Sequence, residues 1–246
     1  MPTLAAPDLR PLADALSGPG FLHLPAPGLQ ALLGWTAQQW AAFAATWEDL
    51  GTDGYMADGG RYRRRRHAAF GVQGDKAHRK PHQPHFQSRD YNPLNGGVQR
   101  WFDPMEPGAA ASPILDGMFT ILSPLFATLD GHDTADWHSE VHQFRIETSP
   151  TQIGRPTPEG FHRDGVDWVL VMLIGRRDVA EGTTEIVDLQ GNPLGRFTLS
   201  EPGDAVLLND RRILHGVTPV QPLGNLAFRD ALVVTWQAEE GLQSAR

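Results

Sequence analysis

Two imidazoles and one carboxylate in this 246-residue chain stand at spacings that suit a metal. His162 and Asp164, in Gly160-Phe161-His162-Arg163-Asp164-Gly165, are two residues apart, so an extended backbone sends both side chains to the same side. His215, in the short apolar run Ile213-Leu214-His215-Gly216-Val217, offers a second imidazole from a distant strand. Two nitrogens and one oxygen on one face of an octahedron suit non-haem Fe(II), because three positions stay open for a co-substrate and dioxygen. Taken singly, His162 suits a surface turn and His215 a hydrogen-bonded core position. The set gains weight from its flanks: strand-like runs at 166–174 and 205–209, the turn Glu201-Pro202-Gly203-Asp204, and Arg229 at the approach to a last apolar strand.

These ligands need a rigid frame, and the composition supplies one. Twenty-six Gly and 20 Pro with 40% apolar residues suit a strand-rich, turn-rich globular chain. A net charge of −8 argues against nucleic acid as a partner. The absence of cysteine excludes disulfides, thiolate zinc and iron–sulfur clusters, which leaves His and carboxylate ligands for iron, manganese or zinc. Residues 1–8 show no basic stretch followed by an apolar core, and no apolar run approaches the ~20 residues of a membrane span. The expectation is a cytoplasmic protein with no membrane partner.

From residue 137 the pattern is strand after strand. Residues 137–147 alternate, with His138, Glu140, His142, Phe144 and Ile146 on one side and Ser139, Val141, Gln143 and Arg145 on the other. Further strands are expected at 166–174, 184–188, 196–199, 205–209, 213–217 and 231–237, with a polar hairpin turn at 188–195. About seven short strands in ~100 residues point to a mainly β jelly roll, whose mouth brings ligands from different strands together. The first 130 residues read as a helical or mixed flank on a core at 137–237, in a single domain over 1–246. Helices are expected at 8–17, 29–33, 36–49 (Thr36 as N-cap) and 112–129, and a short strand at 21–24.

Arg61-Tyr62-Arg63-Arg64-Arg65-Arg66-His67 is the densest charge run. As a strand it sends Arg63 and Arg65 to one face and Arg64 and Arg66 to the other. Two readings stand side by side: a solvated edge strand, or one face offering guanidinium to a carboxylate. Residues 71–84, with His78 and His82 and with His85 just beyond, read as a solvated loop rather than a ligand set.

Several of these segments together resemble the Fe(II)- and 2-oxoglutarate-dependent dioxygenases, and more narrowly the bacterial L-isoleucine dioxygenase-like hydroxylases of free amino acids. The matching residues are His142-Gln143-Phe144-Arg145, His162-Arg163-Asp164, Leu214-His215-Gly216-Val217-Thr218-Pro219 and residues 227–235. Upstream, Phe86-Gln87-Ser88-Arg89-Asp90-Tyr91-Asn92, Gly96-Gly97 and Arg63 with Arg65 also match. The likeness is dense from 137 to 237 and patchy from 60 to 102. It implies a double-stranded β-helix (jelly roll, cupin-like) with flanking N-terminal helices. It implies Fe(II) held by His162, Asp164 and His215, with 2-oxoglutarate and O2 as co-substrates. Arg229, fourteen residues past His215, is the implied partner of the far 2-oxoglutarate carboxylate. The implied reaction hydroxylates a small substrate, a free aliphatic L-amino acid above all, and forms succinate and CO2. Arg63, Arg65, Gln143 and Arg145 are the candidates for contacting it.

Two other classes bear on the same residues. A non-catalytic or hydrolytic jelly-roll protein would hold zinc or manganese on the same triad and have no need of Arg229. A binding module would use Arg61 to Arg66 and bind in a salt-sensitive way.

Overall fold

The alternation at 137–147 decides which face of the main sheet is polar. The structure, a computed structural model, describes residues 9–132 and 136–239; the reading of residues 1–8 and the helix start at Asp8 lie outside the described residues. The helices are α1 (Arg10–Ser17), α2 (Ala26–Leu33), α3 (Ala37–Ala44), α4 (Pro107–Ala110) and α5 (Pro113–Leu129). The early strands are β1 (Phe21–Leu24), β2 (Arg63–Gln73), β3 (Lys76–Arg79) and β4 (Asp136–Thr148). The later ones are β5 (Trp168–Arg177), β6 (Val179–Glu181), β7 (Thr183–Asp188), β8 (Pro193–Thr198), β9 (Ala205–Asn209), β10 (Ile213–Val217), β11 (Val220–Pro222) and β12 (Ala227–Ala238).

Among the described residues these pair antiparallel into a seven-stranded sheet, β1-β9-β5-β12-β4-β2-β3, a three-stranded sheet, β10-β7-β8, and a pair, β11-β6. The chain is mainly β with jelly-roll architecture, as its strand pattern leads one to expect. Residues before 130 do more than flank it: β1, β2 and β3 are strands of the main sheet.

Apolar side chains of the main sheet point outward to the helices. Leu170 and Met172 of β5 and Leu232, Val234 and Trp236 of β12 join Phe119, Leu122 and Phe126 of α5 in one buried cluster. Phe126 stacks on Trp168 at 4.6 Å and meets Trp236 edge-on at 5.0 Å. Each fully buried side chain of this size contributes roughly 1.5–3 kcal/mol relative to exposure. The indole N–H groups are also satisfied, Trp236 Nε1 donating to Ser123 Oγ and Trp168 Nε1 to Asp130 Oδ2. Residues 107–129 are long and apolar enough to cross a membrane by length and composition, which the sequence reading had excluded; here they form α4 and α5, and α5 covers this sheet.

Thr36 caps α3 in a reciprocal box with Gln39, as its residue type leads one to expect. The helix gives way at Ala45 to a single 3-10 turn, short of the expected Asp49. Pro124 lies inside α5. The expected loop at 71–84 is a correction. β2 runs on to Gln73, turns at Gly74 and returns as β3, a polar edge strand that suits the sheet's margin.

Two smaller apolar clusters close the space between the sheets. Val169, Val206 and Leu208 meet Ile186 and Ile213 on one side, and Ile146 and Ala227 meet Val179 and Val220 on the other. Between them lies an open cavity.

Candidate metal centre and substrate cavity

The cavity, about 1400 Å³, is lined by the inward face of the main sheet. That volume exceeds the ~300–1,000 Å³ of an ordinary small-molecule pocket and leaves room for two small ligands. The inward side chains of β4 are the set that alternation assigned to one face, His138 through Ile146, and those of β12 include Arg229, Ala231, Val233 and Thr235.

His162 and His215 meet across an isolated antiparallel bridge, each backbone N–H donating to the other's carbonyl at 3.0 Å. This pairing puts both imidazoles on one side, with ring centroids 4.4 Å apart. Asp164 completes the group: Oδ1 is 3.8 Å from His162 Nε2 and Oδ2 is 3.7 Å from His215 Nε2. The ligand atoms of the three lie within 4.8 Å of one another. His162 Nδ1 lies 3.1 Å from the Gly160 carbonyl, which takes the Nδ1 proton and leaves Nε2 bare toward a metal. Burial disfavours the His162 imidazolium, but Asp164 and Glu159 outweigh it and raise the pKa. Burial and the neighbouring His162 push His215 down to about 4, so its imidazole is neutral, the form that ligates. The donor set fits a divalent cation with open positions.

Residues the sequence reading did not select hold this geometry. The carboxylate of Asp210 accepts from the backbone N–H groups of Asp164, Gly165 and Val166 at 3.0, 2.8 and 3.2 Å. Burial and the adjacent Asp164 raise Asp210 to about 7. Gln87 donates through Nε2 to the Asp164 carbonyl at 3.0 Å. Gly165 has φ +83°, and a Cβ there would lie 2.5 Å from the Tyr91 ring. Gln87 and Tyr91 belong to the upstream segment 86–92, which thereby braces the metal turn. An Asp just after β9 and five residues before His215 was the available signal for Asp210, but only folding aims it at the turn.

Arg229 is 2% exposed, and its Nε and Nη2 have no hydrogen-bond partner. Burial and then Arg176 bring its pKa down to about 10, still cationic at neutral pH. It lines the cavity and fits a carboxylate. Asp230 beside it is held by Arg145, in a fork with two contacts of 2.8 Å.

The charge run divides as strand geometry requires. Arg63 and Arg65 line the cavity and are buried; Arg64 pairs with Glu147, and Arg66 with Asp49 and Glu106. A free basic patch for nucleic acid is therefore not what this strand presents. Gln143 and Arg145 are corrections. Both lie on the outward face of β4, where Gln143 Nε2 donates to Thr46 Oγ1 and Arg145 is bound to Asp230 and Glu48. Alternation had separated them from His142, but the notion of a shared strand face left open which face was inside. His85 is another correction, since it lies half-buried in the cavity wall, where it pairs with Glu140, rather than in a solvated loop. Its N–H and carbonyl bridge to Arg100, which brings Arg100 into the cavity too.

A jelly roll with two His and one Asp at an open cavity defines the class of mononuclear non-haem metal proteins. Comparisons with known proteins narrow it. The family model described as 2OG-Fe dioxygenase matches residues 44–235. An L-isoleucine-4-hydroxylase of Bacillus thuringiensis is 24% identical over 159 residues, 63% of this chain and 66% of that protein, just under two thirds of its length. The crystal structure of a bsmA homolog from Methylobium petroleophilum PM1 is 37% identical, with a TM-score of 0.84 over 93% of this chain and 92% of that one. The structure of IDO from Bacillus thuringiensis, 17% identical, has a TM-score of 0.78 over 94% and 99% and shares the fold. The chain belongs to the 2OG-Fe dioxygenase family, oxidoreductases that work with Fe(II), 2-oxoglutarate and O2.

Proposed function

We propose that this protein hydroxylates a free amino acid, coupling the reaction to conversion of 2-oxoglutarate to succinate and CO2. One observation carries the choice of substrate. Arg63, Arg65 and Arg100 gather in the cavity as buried guanidinium groups; Arg63 and Arg65 share the Asp53 carboxylate at 2.7 and 3.6 Å, and Arg100 has no ion-pair partner among the described residues. A surplus of buried cation calls for an anion from outside, and a substrate carboxylate is the planar partner that guanidinium binds best. Arg65 is fixed for this purpose between the rings of Phe102 and Phe144, at 3.6 and 4.4 Å. The relative at 24% identity, an isoleucine hydroxylase, lends support.

In this reading His162, Asp164 and His215 hold Fe(II), and Arg229 grips the far carboxylate of 2-oxoglutarate. The bound iron and co-substrate supply the oxidising power for C–H hydroxylation. The chain supplies position and exclusion of water. Val171, Ala231 and Val233 present apolar wall to the cavity, and Gln87 and Asp210 keep Asp164 aimed.

The test is anaerobic loading with Fe(II) and 2-oxoglutarate, followed by air in the presence of each free amino acid. Succinate and oxygenated product are followed by mass spectrometry. One amino acid gaining a single oxygen in step with succinate is the expected result. Succinate with none of the amino acids oxidised contradicts the substrate class, and iron-loaded protein that makes no succinate contradicts the oxygenase reading.

A further inference from the structure

Deep in the cavity Glu140 is surrounded by imidazoles. His85 Nδ1 is 2.5 Å from Oε2, His142 Nε2 is 3.5 Å from Oε2, and His67 and His138 Nε2 are 3.4 and 3.8 Å from Oε1. His67, His85, Glu140 and His142 bring their ligand atoms within 4.8 Å of one another, which has the outline of a metal site. The far nitrogens argue otherwise. Arg65 Nη2 lies 2.7 Å from His142 Nδ1, and a guanidinium only donates, so His142 accepts there and carries its proton on Nε2. Lys80 Nζ, 3.1 Å from His138 Nδ1, imposes the same tautomer on His138. With its lone pair turned away, His142 offers Glu140 a donor rather than a metal a ligand.

The charges on the two sides of this region are unbalanced in opposite senses. Glu140 has imidazoles for company and, among the described residues, no Arg or Lys within ion-pair distance. Burial works against its charge, but His85 and the N–H groups of its other imidazole neighbours hold its pKa well below the usual carboxylate range. The fully buried His67 turns Nε2 toward Glu140 at 3.4 Å, and its Nδ1 is unpartnered. Next door, Arg65 Nε and Arg100 Nε are buried donors without partners. Arg65 and His67 are two apart on β2, so their side chains rise on one face about 7 Å apart. An ammonium and a carboxylate on a single carbon span such a gap. From Arg100 the metal turn is one side chain away: Gln87 accepts from Arg100 Nη2 at 3.4 Å and donates to the Asp164 carbonyl at 3.0 Å.

We propose that Glu140, with His67 and His85, receives the α-ammonium of the substrate while Arg65 and Arg100 receive its α-carboxylate. This deepens the free-amino-acid reading and rests on it. The far half of the cavity is then a reader of zwitterionic head groups, and the substrate side chain extends along Gln87 toward the metal. N-acylated and peptide-bound amino acids are excluded, because acylation removes the cation that Glu140 requires.

Calorimetric titration of the anaerobic Fe(II)- and 2-oxoglutarate-loaded protein tests this without turnover. The probes are the free L-amino acids and the N-acetyl derivative of each one that binds. Acetylation is expected to weaken binding to the wild-type protein on the order of 10- to 100-fold. Glu140→Gln keeps the side-chain shape, and is expected to weaken the free amino acid by a similar factor while leaving 2-oxoglutarate binding and the weak N-acetyl binding unchanged. The wild-type comparison stands even if the variant folds poorly. Equal wild-type affinity for free and acetylated forms overturns the proposal, as does wild-type affinity of Glu140→Gln for the free form; both leave the amino-acid reading intact. A second metal equivalent that Glu140→Gln loses also overturns it. Succinate formation with no amino acid bound or oxidised removes the amino-acid reading itself.

Discussion

At one end of the cavity His162 Nδ1 faces the Gly160 carbonyl at 3.1 Å; at the other, His142 Nδ1 faces the Arg65 guanidinium at 2.7 Å. Both imidazoles are buried, and both have a carboxylate near Nε2, Asp164 at 3.8 Å and Glu140 at 3.5 Å. The partner on the far nitrogen sets them apart. An acceptor there takes the proton and bares Nε2 for a metal, whereas a permanent cation there drives the proton to Nε2 and makes it a donor. Residue type alone makes two metal sites of this cavity. Hydrogen bonding makes one metal site and one polar subsite.

The sharpest break in this contrast comes from removing triad members. His215→Ala or Asp164→Ala is expected to abolish Fe(II) retention and turnover, read by metal analysis and succinate formation, whereas no change at Glu140 removes the iron. Next in size is Arg229→Gln, which in the proposed role takes the cation from 2-oxoglutarate's far carboxylate. KM for 2-oxoglutarate should rise on the order of 100-fold while Fe(II) binding is unchanged; an unaltered KM contradicts the role. Asp210→Ala releases the three N–H groups that aim Asp164, and Fe(II) affinity should fall roughly 10- to 100-fold in anaerobic dialysis. Gly165→Ala forces a side chain into a left-handed backbone and onto Tyr91, with an expected stability loss of about 1–3 kcal/mol and a lower Tm. The smallest effect on function is expected at Arg145→Gln. It lowers Tm by breaking a half-buried fork to Asp230 but leaves KM for both substrates unchanged, since Arg145 faces away from the cavity.

Much of this was legible in the sequence because strand periodicity is strict. Alternation in β4 sorted His138, Glu140, His142, Phe144 and Ile146 from their neighbours, and the same rule put Arg63 and Arg65 on one face, which the fold turns to the cavity. The His162, Asp164 and His215 set was legible because the close spacing of the first two and the apolar run around His215 are local properties. What was not legible depends on contacts between distant segments. Gln143 and Arg145 were assigned to substrate because alternation gives two faces without naming the inner one; the helices decide that by covering the other. His85 was left in solvent because Pro and Lys surround it, but its backbone bridge to Arg100 turns it under the sheet. Asp210 carries no motif of its own and acts through backbone N–H groups some 45 residues away in sequence.

Metal stoichiometry separates the two clusters most directly. Anaerobic equilibrium dialysis against Fe(II) would compare the wild-type chain with His215→Ala and Glu140→Gln. The account predicts one iron per chain, lost in His215→Ala and kept in Glu140→Gln. Two irons per chain, or one that survives His215→Ala and disappears in Glu140→Gln, would contradict it.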